Sequence, residues 1–134
     1  DAGQLSPPDE LDGKSMLPLL RGDKTWRKML DLEHNQTYEP DNAWAALTDG
    51  RYKYIYFTLT GEEQLFDLQT DPTEKENILE RSSSRALHEE WYRKMVEHLS
   101  IRGERWVKDG KLQVQQTSLL VGDNFPPYKF DGHY

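Results

Sequence analysis

The chain has 134 residues, enough for one ordinary domain whose core needs neither disulfides nor metals. Its 17 Lys and Arg against 24 Asp and Glu give a net charge of -7, a field that repels nucleic acid and anionic membrane, with no basic run to offset it. The absence of Cys excludes disulfides, thiolate metal sites and a cysteine nucleophile within the chain, and neither a membrane-length apolar run nor a signal peptide is visible. Four Trp, seven Tyr and four Phe supply the large apolar areas of a folded domain. The opening Asp1-Ala2-Gly3, without Met, reads as the start of a segment from a longer protein.

Residues 1–14 contain Pro7-Pro8 and Asp12-Gly13 and read as loop, because Pro cannot continue a helix and Asp-Gly favours a turn. Ser15 to Leu20 forms at most a short apolar turn of helix, closed by Arg21-Gly22. Met29 to His34 suits a strand, and the polar stretch Asn35 to Asn42, with Pro40, breaks it. Asp49-Gly50 separates Ala43–Thr48 from Arg51–Phe57, the signature of a hairpin with a type I′ turn. In the second strand Tyr52, Tyr54 and Tyr56 share one face, and Lys53, Ile55 and Phe57 the other. A further turn at Thr60-Gly61-Glu62 leads into Gln64–Leu68, which completes a three-stranded meander, with Met29–His34 available as a fourth strand.

Asp71-Pro72-Thr73-Glu74 carries an Asp cap, Pro at the first helical position and Glu at the third, predicting one or two helical turns to about Leu79. Ser82 to Ser84 can cap a longer helix running to about Arg102, with Leu87, Trp91, Met95 and Leu99 along one face and Gly103 as its stop. Glu89–Arg93 and Glu90–Lys94 have the spacing of favourable exposed pairs. Glu104 to Gly110 is expected to add a helical turn, and Lys111 onward an extended tail ending past Pro126-Pro127. The resulting class is α+β: an antiparallel sheet of three to four strands, a hairpin meander, packed by a long carboxy-terminal helix.

Candidate chemistry is sparse. His34, His88, His98 and His133 are scattered without a carboxylate partner at ligand spacing, so no metal site is expected. Asp123-Asn124 sits in a Pro-flanked tail and reads as loop. The hairpin aromatics suit cross-strand packing, with a sugar-stacking platform as the alternative. Glu33-His34 stands out: an acid and an imidazole at the end of a strand, just before a polar loop, occupy a position where a rigid element can present a site, while a plain surface pair is the simpler explanation.

Taken in order, these segments resemble the closing part of the sulfatase family. Asp12-Gly13-Lys14-Ser15-Met16-Leu17-Pro18-Leu19-Leu20-Arg21-Gly22 is similar to the stretch that follows the family's main catalytic domain. Thr48–Ile55, Gly61–Leu68 and Asp71-Pro72-x-Glu74-x-x-Asn77 resemble its closing hairpin and its signature of a Leu-Phe-Asp-Leu type strand followed by Asp-Pro. Asn77 is expected there to make local hydrogen bonds. Glu104–Leu112 is similar to the closing segment of bacterial arylsulfatase-like members, so the resemblance covers roughly residues 1–112.

The resemblance implies a two-part enzyme of the alkaline-phosphatase superfamily. Its upstream α/β domain would hold calcium and a formylglycine made from Cys or Ser in a Cys/Ser-x-Pro-x-Arg motif. No such motif occurs here; Ser6-Pro7-Pro8-Asp9-Glu10 has Glu where Arg is required. The chain alone is therefore expected to be inactive, with no catalytic residue of its own. Its organisation follows: 1–28 linking from a catalytic domain, 29–112 the sulfatase carboxy-terminal domain, 113–134 an extended tail. The implied partners are the upstream domain of the same polypeptide and a sulfate-ester substrate, with no nucleic acid and no membrane. The resemblance leaves the location unknown while pointing to the periplasm or to secretion, and a docking domain without its partner is expected to self-associate through an apolar surface. Glu33 and His34 match in position a pair before a variable loop in related bacterial members, which makes them substrate-cleft candidates and the Asn35–Asn42 loop a selector of the alcohol or sugar. The rivals are an independent glycan- or protein-binding module and the equivalent domain of a phosphodiesterase or phosphonate hydrolase.

Overall fold

The computed structural model of the chain describes residues 13–35 and 41–116. The expectations for residues 1–12, for most of the Asn35–Asn42 loop, for Asp123-Asn124 and for His133 lie outside the described residues.

A four-residue helix α1 (Leu17–Leu20) has Pro18 in its first turn and ends before Gly22, whose φ of +91° reverses the chain. Four strands follow: β1 (Leu30–His34), β2 (Trp44–Thr48), β3 (Tyr52–Phe57) and β4 (Glu63–Asp67). They form one antiparallel sheet in the order β1-β2-β3-β4, so the fourth strand expected at Met29–His34 is present and lies at an edge. Helix α2 (Arg85–Ser100) lays Trp91, Met95 and Leu99, all fully buried, over one face of the sheet, where they join Ala45, Leu47, Tyr54, Tyr56 and Leu65. The predicted helical stripe and the predicted tyrosine face thus meet in a single core. The opposite face carries a second cluster of Ala46, Ile55 and Phe66, flanked by Trp44, Phe57 and Leu68.

The hairpin at Asp49-Gly50 forms, but its turn is centred one residue later than expected. Thr48 pairs with Lys53, and Asp49 N–H donates to Tyr52 O at 3.3 Å, leaving Gly50-Arg51 as the two central residues. Gly50 has φ +91° while Arg51 keeps a negative φ, so the turn is not type I′, which needs both positive. The cause is the Asp49 carboxylate, which accepts from Arg51 N at 2.9 Å and Tyr52 N at 2.7 Å and takes the place of a backbone carbonyl in the turn. Gly50→Val is expected to lower stability by about 1–2 kcal/mol, the usual cost of forcing a side chain into positive φ, read as a shift of the urea midpoint at unchanged slope.

The arrangement expected at Asp49-Gly50 occurs instead at Asp109-Gly110. These two residues, at φ +52° and +70°, join β5 (Val107–Lys108) to β6 (Lys111–Leu112) with Lys108 opposite Lys111. The helical turn expected over Glu104 to Gly110 is thus largely a small hairpin, entered by a turn in which Trp106 N donates to Gly103 O. Past Leu112 the chain stays on the domain: Gln115 is buried and its N–H donates to Thr58 O at 2.7 Å.

Three other expectations need correction. Asp71 caps as predicted, its carboxylate accepting from Lys75 N at 2.6 Å and Glu76 N at 2.8 Å, yet no α-helix follows. Glu74 sits at φ +54°, which breaks the helical path, and its carboxylate is held by Lys53 Nζ at 2.7 Å; only a 3-10 turn at Ile78–Glu80 remains. The Glu76 amide, with the Thr73 hydroxyl and the Lys75 amide, holds the Asp71 carboxyl below its usual range. Ser82–Ser84 likewise forms a 3-10 turn rather than a side-chain cap, and Ser84 makes no capping bond to α2. On α2, Glu90 pairs with Lys94 at 2.7 Å as expected, whereas Glu89 turns back to Arg85 at 3.2 Å.

Candidate functional site

Strand periodicity sends Glu33 and His34 to opposite faces of β1. Glu33 stands opposite Ala45 and, like Asp31 opposite Leu47, points to the side covered by α2. Both carboxylates meet side chains from that helix and from just beyond its end: Glu33 pairs with Arg102, and Asp31 Oδ2 lies 3.9 Å from His98 Nε2. Inward carboxylates on an edge strand also discourage a foreign strand from pairing there. His34, on the other face opposite Trp44, stacks on that indole with ring centroids 5.6 Å apart and planes 23° from parallel. Its Nε2 lies 3.4 Å from Asn42 Nδ2, within hydrogen-bond reach.

Although they face apart, Glu33 and His34 meet in one place, because both sit where β1 ends. A cavity of about 160 Å³ opens there across the end of the sheet, lined by Glu33, His34 and Trp44 with Arg102, Trp106 and Gln115. Arg102 lies between its partners: the guanidinium carbon is 5.1 Å from the centroid of the Trp106 ring on one side, with the Glu33 carboxylate on the other. Gln115 forms a fixed wall, accepting from Arg105 Nε at 2.8 Å and donating to Arg105 O at 2.7 Å and Gln113 O at 2.9 Å. The sequence singled out only two of these residues. Arg102 and Trp106 escaped notice because the helix was expected to end at Arg102, and nothing local shows that its last turn comes back to β1.

A second polar cluster lies deeper under α2. Tyr54 Oη donates to Glu63 Oε2 at 2.6 Å, and His88 Nε2 contacts the same oxygen. Burial, and then the Glu63 carboxylate, push the Tyr54 hydroxyl far above its ordinary range; burial also raises Tyr56 to about 12. His88, on α2, thus ties the helix to β4 through Glu63. None of Tyr54, Glu63 and His88 lines the strand-end cavity, which gathers the two residues that the sequence singled out and is the better candidate site.

Among the described residues no group of three or more His, Cys, Asp or Glu could hold a metal ion, and no helix is long and apolar enough to cross a membrane. The described residues do not fit calcium, and the sequence contains no formylglycine motif.

Residues 1–101 match the family described as N-sulphoglucosamine sulphohydrolase, C-terminal. The chain is 27% identical over 113 residues to an arylsulfatase of Clostridium perfringens, an alignment covering 84% of this chain and 23% of that protein. It is 36% identical over 70 residues to a choline-sulfatase of Rhizobium meliloti, covering 52% and 13% respectively. Among solved structures, a 2-O GAG sulfatase superposes with a TM-score of 0.63 at 24% identity over 72% of this chain and 22% of that one. A phosphonate monoester hydrolase from Silicibacter pomeroyi does so at 0.56 and 22% identity, over 81% and 26%. At these identities the two structures speak for the fold alone. The chain spans about a quarter of the length of the arylsulfatase it matches and less of the choline-sulfatase.

Proposed function

The chain belongs to the N-sulphoglucosamine sulphohydrolase carboxy-terminal family, and from that premise we propose that it completes the substrate cleft of a sulfuric ester hydrolase whose catalytic residues lie on an upstream domain. The observation that carries this reading is the strand-end cavity, which gathers Glu33 and His34, from a pair adjacent in sequence, with Arg102 and Trp106 from the segment that follows α2. Calcium and formylglycine belong to the upstream domain in this reading, and this chain supplies no step of the sulfate-ester chemistry.

Docking onto that domain falls to the second face of the sheet. Every member of its apolar cluster comes from β2, β3, β4 or the residue after β4, so no described helix contributes to it. At its β1 edge Leu30 and Leu32 are 38% and 39% exposed, and in the segment before β1 Met16 is 62% and Leu20 81% exposed. Exposed apolar side chains concentrated on one strand and the adjoining segment suit a protein contact, and the isolated chain is expected to self-associate through them.

In the parent protein acting on an aryl sulfate, His34→Ala and Glu33→Gln are each expected to lower kcat/KM by about tenfold, the loss of one contact worth ~1.4 kcal/mol to the bound substrate. The chain by itself is expected to show no turnover. Unchanged kcat/KM in both variants would remove Glu33 and His34 from the cleft, and turnover by the chain alone would overturn the reading entirely. A phosphonate hydrolase shares the fold, and comparing aryl sulfate with aryl phosphonate in the same assay decides between them.

A further inference from the structure

The sequence holds four Asp-Gly steps, at Asp12, Asp49, Asp109 and Asp131, and two of them, at Asp49 and Asp109, lie wholly among the described residues. Such a step carries both partners of a ring closure. The acid form of the carboxyl is attacked at Cγ by the main-chain N of the following glycine, which has no side chain to obstruct the approach. One water leaves, and a five-membered succinimide closes. Water then reopens the ring at either carbonyl. Opening at the former side-chain carbonyl restores aspartate; opening at the main-chain carbonyl leaves isoaspartate, whose backbone runs through the old side chain and is one atom longer. Water is the only co-reactant, and nothing is oxidised or reduced.

Asp49-Gly50 and Asp109-Gly110 are both exposed in hairpin turns, so access to water does not separate them. The hold on the two reacting groups does. At Asp49 the carboxylate accepts from Arg51 N at 2.9 Å and Tyr52 N at 2.7 Å, while Gly50 N–H donates to Thr48 Oγ1 at 3.1 Å. Ring closure there requires those three bonds to open first. At Asp109, among the described residues, the carboxylate meets no donor or cation and Gly110 N–H meets no acceptor. Asp109 also sits at φ +52°, in the left-handed region that strains an L residue, whereas Asp49 does not. Its side chain is free to turn onto Gly110, and leaving the native backbone there gives up strain rather than hydrogen bonds.

We propose that Asp109-Gly110 is a site of spontaneous covalent modification, converting to isoaspartate through the succinimide, and that its bonded turn protects Asp49-Gly50 from the same reaction. The consequence reaches the core. Val107 and Leu112, paired across the hairpin, pack against the cluster under α2, and Leu112 N donates to Tyr92 Oη on that helix at 3.1 Å. An extra backbone atom in the two-residue turn takes Lys108 out of register with Lys111, so the modified hairpin loosens its hold on α2.

The test keeps the folded 134-residue chain in neutral buffer, warm but below its unfolding, for several weeks, and locates isoaspartate with an isoaspartyl methyltransferase after chymotryptic digestion. Cleavage after Leu and the aromatic residues places Asp49 in peptide 48–52 and Asp109 in peptide 107–112, apart from the steps at Asp12 and Asp131. Isoaspartate should accumulate in 107–112 faster than in 48–52 by about tenfold or more, the factor expected when three hydrogen bonds must open first. In urea sufficient to unfold the chain the two rates should converge, because only the fold distinguishes the two steps. Asp109→Glu should abolish the product in 107–112, since its larger ring closes far more slowly. Asp109→Asn, which suits the left-handed region, should raise it with loss of ammonia in place of water. Equal rates at the two steps in the folded chain, a larger yield at Asp49, no product at Asp109, or a difference that persists in urea would each overturn the proposal.

Discussion

Replacing Asn77 by Ala is expected to destabilise the domain by about 2–4 kcal/mol, a large share of the 5–15 kcal/mol that holds a typical domain together. Asn77 Oδ1 accepts from Leu65 N at 3.0 Å, and its Nδ2 donates to Glu63 O at 3.3 Å. Glu63 and Leu65 are alternate residues of β4, the strand at the sheet edge away from β1. The carboxamide thus occupies the place that the peptide group of a fifth strand would take. The same Oδ1 also accepts from Leu79 N at 3.2 Å, which starts the 3-10 turn at Ile78. Leu65 is fully buried, so alanine leaves its N–H without water or protein partner, a penalty of about 1–3 kcal/mol, and the lost cap adds ~1 kcal/mol. Thermal unfolding should fall by about 10–20 °C. Asn77→Asp keeps the acceptor but loses the donor to Glu63 O, so an intermediate loss is expected. A change below about 0.5 kcal/mol in Asn77→Ala would show that β4 does not depend on this anchor.

The chain declared its periodic parts and concealed those fixed by distant contacts. Alternation in Tyr52–Phe57 and the spacing of Trp91, Met95 and Leu99 were legible because each element repeats its own burial pattern, and the two patterns name the faces that meet. Turn chemistry was half legible. Asp-Gly marks both hairpins, but whether Asp becomes a central residue depends on the register of the flanking strands. At Asp49 the carboxylate closes the turn from outside, and at Asp109 the residue itself takes positive φ. The helix start at Asp71 failed for a tertiary reason, since Lys53, 21 residues back in the chain, holds the carboxylate of Glu74 while its backbone lies in the left-handed region. The site was legible only on its β1 side. Glu33 and His34 advertise themselves by adjacency, while Arg102 and Trp106 belong to the cavity through the packing angle of α2, which no local pattern encodes.

Raising the pH from 10 to 12 is expected to cost the domain on the order of 4–5 kcal/mol, through two tyrosines that the sheet and α2 enclose. Tyr54 and Tyr56 are 0% and 3% exposed. Burial, foremost, raises the Tyr56 hydroxyl to about 12 and drives Tyr54 higher still, the latter helped by its hydrogen bond to the Glu63 carboxylate. In the unfolded chain both titrate near 10. Above that pH the unfolded state binds fewer protons than the native one, so stability falls as pH rises, by about 1.4 kcal/mol per unit for each tyrosine. Below pH 10 both states are protonated and these groups contribute no slope. Circular dichroism should therefore show the fold lost in the alkaline range, with the two buried tyrosines ionising as it goes. Tyr56→Phe removes one titrating group and should roughly halve the alkaline slope. Tyr54→Phe should do the same at a cost near neutral pH, because Glu63 then keeps only His88 of its two side-chain partners. A domain that remained folded at pH 12 with all its tyrosines ionised would mean that the tyrosine face is open to water. The packing of α2 on the sheet would then have to be redrawn.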